Sequence, residues 1–187
     1  MARKKEYREE EVIDKAMRLF WRNGYERTSM QMLEKEMGIN KFSIYSSFGS
    51  KRGVFLESLN CYQSKVAAMF EKFKKASNGV EDIKQFFYDS VAICAVEGNE
   101  KGCLLTNTYN EFSESDDPEI KTQVKSFMDN LKLLFLEKLR IGSKKEDSLL
   151  LKQANFLVIA KHGLAAASRV NSREEIEDYI EMTFSSI

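Results

Sequence analysis

Between residues 51 and 77 the apolar side chains Phe55, Leu59, Tyr62, Val66, Met69 and Phe73 return in alternating steps of four and three. Only a helix, with its period of 3.6, puts such positions on one face; a strand would need a period of two. About 26 residues rising 1.5 Å each make a rod of roughly 39 Å. An apolar stripe of that length has to be covered by other elements, so the segments before and after residues 51–77 are organised around this rod.

Those segments carry the same period. Val12, Ile13, Ala16, Met17, Leu19 and Phe20 mark a first helix, stopped by Asn23-Gly24. Thr28-Ser29-Met30-Gln31 fits a capping box, with the Thr28 hydroxyl and the Gln31 side chain satisfying free amides, and opens a second helix that runs to about Met37. Gly38-Ile39-Asn40 is a short turn with Asn40 as N-cap. A third helix then carries Ile44 and Phe48 on one face, and Gly49-Ser50 ends it and caps the rod. Asn78-Gly79 breaks the rod; a fifth helix is expected over 80–97 (Ile83, Phe86, Phe87, Val91, Cys94), a loop over 98–102 and a sixth helix over 104–112. The single proline, Pro118, follows Asp116 and Asp117 and opens a seventh helix with Ile120, Val124, Phe127, Leu131, Leu134 and Phe135, ended by Gly142. Residues 149–170 are apolar nearly all round, and the last segment lines up Ile176, Tyr179, Ile180, Thr183, Phe184 and Ile187 on one stripe. The fold class is therefore all-α, with about nine helices.

With 187 residues, 43% of them hydrophobic, the chain can bury a core, which excludes disordered and collagen-like classes. Cys61, Cys94 and Cys103 are odd in number and lack C-x-x-C spacing or a His/Cys cluster, so neither a disulfide framework nor a structural zinc is expected. The charged start MARKKEYREEE has no apolar signal core, and no uncharged run approaches the roughly 18 to 20 residues that span a bilayer; a cytoplasmic, unanchored protein is expected. Lys and Arg number 29, as do Asp and Glu, but in residues 1–55 12 basic side chains face 8 acidic ones, leaving 17 against 21 in the rest. A basic small end points to a polyanion as partner, and an acidic large end to a region that does not touch it.

Residues 29–48 read as helix, glycine-containing turn and short polar helix inside the basic portion. This is the outline of a helix-turn-helix or of an ordinary helical corner. A reading helix needs apolar support inside, here Ile44 and Phe48, and short or basic side chains outside, because the major groove leaves little spare room. Lys41, Phe42, Ser43, Ser46 and Ser47 suit the outside.

The ordered strings Gly24-Tyr25-Glu26-Arg27-Thr28-Ser29-Met30, Gly38-Ile39-Asn40-Lys41 and Ser43-Ile44-Tyr45-Ser46-Ser47-Phe48-Gly49-Ser50-Lys51 resemble the TetR (AcrR-like) regulator family over about residues 8–56. Gly102-Cys103-Leu104-Leu105 is similar to the start of helix six in a subset of that family. The resemblance implies a homodimeric, all-helical transcription factor, usually a repressor. Its N-terminal three-helix helix-turn-helix domain, residues 1–50, would be joined by a long helix to a larger effector-binding and dimerisation domain, residues 51–187. It implies double-stranded operator DNA and an unknown small-molecule effector as partners, the effector altering the separation of two reading heads, with no cofactor and no membrane. It further implies that Thr28, Tyr45 and Lys51 hold phosphates, and that Lys41, Phe42, Ser43 and Ser46, on the helix begun by Asn40, face base edges. Two positions depart from the family pattern. Phe42 stands where glycine is frequent, its ring either meeting a thymine methyl or folding back onto the second helix. Glu34 and Met37 stand where small alanines are frequent, so the second and third helices pack differently in detail.

Such a regulator needs an apolar cavity with a few polar anchors. Phe86, Phe87, Tyr109, Phe112, Phe127 and Phe156 are lining candidates or plain core, and Asn107, Tyr109 and His162 are anchor candidates, with a single structural hydrogen bond as the other reading of His162. Cys103, near a helix start, is a candidate for attack on electrophiles or a buried small hydrophobe. Ala160, Gly163 and Ala167 permit close helix approach and, with Ile176, Ile180 and Phe184, form either a dimer interface or an intramolecular core. No H-E-x-x-H, G-x-S-x-G or G-x-G-x-x-G occurs, residues 98–103 lack the Gly-Lys-Ser/Thr order of a phosphate loop, and one histidine leaves few players for hydrolysis, so no enzyme is expected. The competing reading is a helical interaction or carrier protein without sequence-specific DNA binding.

Overall fold

The computed structural model describes residues 7–95, 102–185 and 187, and every regular element among them is an α-helix: α1 Glu9–Asn23, α2 Met30–Met37, α3 Lys41–Phe48, α4 Lys51–Lys75, α5 Val80–Ala95, α6 Leu104–Glu111, α7 Pro118–Arg140, α8 Asp147–Ala167 and α9 Arg173–Phe184. The expected end of the fifth helix at 96–97, the loop at 98–101 and the basic residues Arg3, Lys4 and Lys5 lie outside the described residues, as does the Cys94 side chain. No described helix is long and apolar enough to cross a membrane.

Helix starts follow local chemistry. Asp117 caps α7 by accepting from the amides of Glu119 and Ile120, with Pro118 at the first helical position, where its missing N–H costs nothing. Ser172 and Glu175 close a capping box on α9. At α2 the cap differs from the expected one. The N-cap is Ser29, whose Oγ accepts from Met32 N at 3.2 Å, while the Thr28 hydroxyl donates to Gly24 O at 2.7 Å. One residue later in the chain a hydroxyl meets the free amides, and Thr28 instead ties off the turn behind α1.

The chain divides into two compact units, Met1–Lys65 and Val66–Ile187, with the division inside α4. In the first, α1 buries Ala16, Met17, Phe20 and Trp21 and packs on α2, which buries Leu33 and Met37 and packs in turn on α3, where Ile44 is buried, while Phe20 and Trp21 meet α4. Phe20 meets Phe55 edge-on at 4.8 Å and Trp21 meets Tyr62 at 5.1 Å, geometries that favour aromatic pairs beyond their buried area. Gly53 makes the α3–α4 corner possible, because a Cβ there would lie 1.9 Å from Phe48 O. Asp14 is clasped by Arg18 at 2.9 Å and Lys65 at 2.6 Å.

The second unit is built on the α7–α8 pair, with α5, α6 and α9 laid against it. Its core contains Phe73, Phe86, Phe87, Leu131, Phe135, Leu157 and Leu164. The stripe expected on the last helix packs into this same core. Ile176 and Ile180 are buried, Ala160 is buried beneath them, Phe184 lies edge-on to Phe87 at 5.1 Å, and the Tyr179 hydroxyl donates to Ala160 O at 2.8 Å. Of the residues offered above as candidates for meeting a partner copy, Ala160, Ile176 and Ile180 are covered by their own chain, Ala167 and Phe184 are half-buried, and Gly163 is exposed. Lys138 is also buried: its ammonium donates to Lys74 O at 3.0 Å and to Ala76 O, and lies 4.0 Å from Asp82.

Candidate nucleic-acid interface and ligand groove

The turn between α2 and α3 is formed by Gly38 at φ +71°, a left-handed conformation that side chains rarely adopt, with its N–H on Glu34 O at 3.1 Å. Asn40 Oδ1 accepts from Ser43 N at 2.8 Å and Glu34 Oε1 accepts from Lys41 N at 3.0 Å, so two orphan amides at the head of α3 are satisfied from opposite sides. This explains one departure from the family pattern: Glu34 is a cap for the following helix. Met37 fills the inside of the corner at 1% exposure.

One face of α3 is anchored. Ile44 is fully buried, Phe48 is half-buried, and the Tyr7 hydroxyl, ahead of α1, bonds Ser47 Oγ at 2.8 Å and reaches Ser43 O at 3.4 Å. The opposite face is free. Lys41, Phe42, Tyr45 and Ser46 are exposed, Ser43 is half-buried, and the Phe42 ring stands 81% exposed. Of the two orientations open to Phe42, the ring therefore takes the outward one. The Lys41 ammonium lies 5.9 Å from the Tyr45 ring centroid and Lys51, half-buried at the start of α4, lies 4.2 Å from that of Tyr25. Between Glu36 and Glu57 the sequence holds no acidic residue, while Lys41, Lys51 and Arg52 are basic, so this stretch carries net positive charge. Thr28 is the exception among the expected contacts. Its side chain is fully buried and its hydroxyl is spent on Gly24, so the hydroxyl exposed at the start of α2 is that of Ser29.

In the second unit a groove of about 790 Å³ opens between α6, α7 and α8, lined among others by Tyr109, Phe112, Val124, Met128, Val158 and His162. His162 Nε2 sits 3.0 Å from Met128 Sδ and its ring 5.6 Å from that of Tyr109; burial, helped by the Lys161 charge, pushes its pKa down, so the imidazole is neutral near pH 7. Tyr109, Phe112 and His162 are thus brought together. Phe86 is buried against Phe70, Phe73 and Phe135, Phe127 packs edge-on to Phe70 at 5.3 Å, and Phe156 is exposed, so none of the three lines the groove. Cys103, half-buried at the N-cap of α6, and Asn107, half-buried in its first turn, also lie outside it. The sequence reading missed Lys121, Lys125 and Lys132 on the groove's rim. Their spacing of four and then seven places them on one side of α7, and that was the available signal.

Residues 12–58 match the sequence profile of bacterial regulatory proteins of the tetR family. Over 121 residues the chain is 32% identical to the HTH-type transcriptional regulator YezE of Bacillus subtilis (strain 168), covering 64% of this chain and 62% of that one. It is 30% identical over 126 residues to the HTH-type transcriptional repressor ComR of Escherichia coli (strain K12), covering 66% of this chain and 60% of the other. The chain thus aligns with less than two thirds of the length of these two relatives. A cysteine mutant of the TetR family regulator CifR, solved with double-strand operator DNA, has the same fold at a TM-score of 0.84 and 24% identity, over 97% of this chain and 98% of that one. A TetR regulator from Legionella pneumophila superimposes at 0.81 with 20% identity, over 99% of this chain and 100% of the other. The braced helix-turn-helix, the all-helical body and these likenesses agree: residues 12–58 carry the profile of the tetR family of bacterial regulatory proteins, and the chain has the fold of solved TetR-family regulators.

Proposed function

We propose that this protein is a dimeric, DNA-binding transcriptional repressor that leaves its operator when a small molecule occupies the second unit. The observation that carries the reading is α3, held on one side by Ile44 and Tyr7 and free on the other, where an apolar ring is left 81% exposed. An isolated monomer has no reason to keep Phe42 in water; beside a base edge the ring meets a thymine methyl. Lys41, Ser43 and Ser46 join it at base edges, while Tyr45, Lys51 and the amides at the start of α2 take phosphates, which fixes register without reading sequence. The head would be residues 1–50 and the effector and dimer region 51–187, the long α4 running from one into the other.

Dimer formation is read from α8. Phe156 (48% exposed), Ile159 (69%), Gly163, Ala166 and, just past the helix, Val170 (86%) recur in steps of three and four on its outer side. Such a stripe buries itself against a second copy. Two reading helices can enter successive major grooves only about 34 to 36 Å apart, so an effector that alters the dimer's stance alters affinity. ComR, named a repressor, and CifR, solved on operator DNA, support this reading. Cys103 offers a second entry for effectors that react with thiols; Cys103→Ser with an unaltered response to electrophiles removes that route.

The test is site selection with the purified protein followed by anisotropy titration over a range of salt. The expected result is a two-fold symmetric site whose log affinity falls with log salt by about 0.9 per phosphate contacted. Absence of any selected sequence would favour the carrier reading and end this one.

A further inference from the structure

Tyr7 ties the chain ahead of α1 to the flank of the reading helix. Its hydroxyl donates to Ser43 O at 3.4 Å and lies 2.8 Å from Ser47 Oγ. Ser43 and Ser47 stand one turn apart, on the side of α3 that runs between buried Ile44 and the exposed Phe42 and Ser46. Arg3, Lys4 and Lys5 precede Tyr7 by two to four residues. A chain spans at most about 3.6 Å per residue, so the Cα atoms of these three lie within about 7 to 14 Å of that of Tyr7. The major groove is about 12 Å wide, so the phosphates bordering it stand within the same reach of a helix that lies inside it. At the head of α1, Glu10 and Glu11 pair with Arg8 at 3.5 and 3.0 Å, so two of the three carboxylates that open this helix already hold a cation.

We propose that Arg3, Lys4 and Lys5 form a second DNA-contacting element, which Tyr7 holds at the wall of the groove and which takes phosphates rather than bases. The anchor puts the run of cations at the edge of the reading face, where the sugar-phosphate chain passes, and a lysine ammonium is a point charge suited to a phosphate oxygen. Tyr7 itself is a positioning residue: with one end of the segment pinned to a helix already seated on DNA, the cations have less freedom to lose on binding. This contact rests on the repressor reading above and lies outside the helix-turn-helix.

The experiment is anisotropy titration of the full chain on its selected operator between about 50 and 200 mM salt. Arg3→Gln, Lys4→Gln and Lys5→Gln together are expected to lower the slope of log affinity against log salt by about 0.9 per phosphate released, about 2 to 3 in all, and to leave the preferred sequence unchanged. Tyr7→Phe keeps every charge and removes the anchor, and operator affinity is expected to fall about two- to tenfold. In the chain carrying the three substitutions, Tyr7→Phe should cost nothing further, because no cation is left to place. Three results overturn the proposal. A slope indifferent to the triple substitution means that the segment does not meet phosphates. An effect of Tyr7→Phe that is nil, or equally large in both backgrounds, means that Tyr7 at most braces α3. A changed base preference in the triple variant means that the segment reads bases. A parent chain that selects no operator ends the repressor reading and this one together, whereas an operator-binding chain whose slope ignores the three substitutions ends this one alone.

Discussion

Replacing Lys138 with Met is the sharpest probe of what holds the second unit together. The side chain is 5% exposed, and its ammonium satisfies the carbonyl oxygens of Lys74 and Ala76 at the end of α4 while standing 4.0 Å from Asp82, itself 6% exposed. Methionine keeps the apolar stem over the Phe73 ring but removes all of the charge. A hydrogen bond to a charged group contributes about 1.5 to 3 kcal/mol, and breaking a buried pair by removing one partner costs about 3 to 5 kcal/mol. These figures overlap, so the expected loss is about 3 to 5 kcal/mol, a large part of a typical stability of roughly 5 to 15 kcal/mol. Asp82→Asn should cost less. Asp82 also accepts from Asn78 N at 2.7 Å, a bond the amide oxygen of asparagine preserves. Urea unfolding followed by circular dichroism at fixed protein concentration, with an unchanged m-value, reads both. A loss under about 1 kcal/mol for Lys138→Met would mean that water already reaches those carbonyls, and the account of a buried capping cation would fail.

Three further outcomes follow from the same geometry. Phe42→Ala, at an 81% exposed position, should leave stability within about 0.5 kcal/mol, yet change the preferred base at one operator position by about 1 to 3 kcal/mol in a repeated site selection. Phe156→Glu should leave the monomer folded and convert a dimer to a monomer in light scattering, with operator affinity collapsing alongside; a dimer that survives would point to another face. Asp14 is pushed up by burial but held down more strongly by hydrogen bonds from Lys65 and Arg18, so its folded pKa lies below the unfolded 3.8. Its contribution is therefore complete above pH 4 and vanishes as pH falls through the folded value. Because the pair is partly solvated, it amounts to no more than about 1 kcal/mol. Asp14→Asn should flatten the urea midpoint between pH 2.5 and 4.5 relative to the parent chain, and parallel curves for the two would contradict it.

The local grammar of this chain was readable in one dimension. The three-four stripe of α4, the Pro118 start of α7, the Asn40 cap and the Gly38 turn each depend on residues within a few positions of one another, and their physics acts over that distance. The helix-turn-helix was legible for that reason. Errors began one shell further out. Thr28 and Ser29 are adjacent hydroxyls, and only the path of the chain after Gly24 decides which one caps α2 and which is sealed inside. The orientation of Phe42 is not encoded by its neighbours in the chain; the packing of α3, which turns Ile44 inward, puts the Phe42 ring outside. The groove joins Tyr109, Val124 and His162 from three helices far apart in the chain, so no spacing announces it, although the lysines along α7 marked one edge.

The clearest division concerns the last two helices. Their amino acids specify two apolar faces on α8 and one on α9, because hydrophobicity at helical spacing is a property of each segment alone. Which face closes the chain's own core and which stays open is settled by how α5, α7, α8 and α9 pack as solid bodies. That packing took Ile176 and Ile180 inside and left Phe156 and Ile159 outside. Burial against one's own chain and burial against a copy lower the free energy through the same removal of apolar surface from water, so a sequence records the need for a cover without naming it.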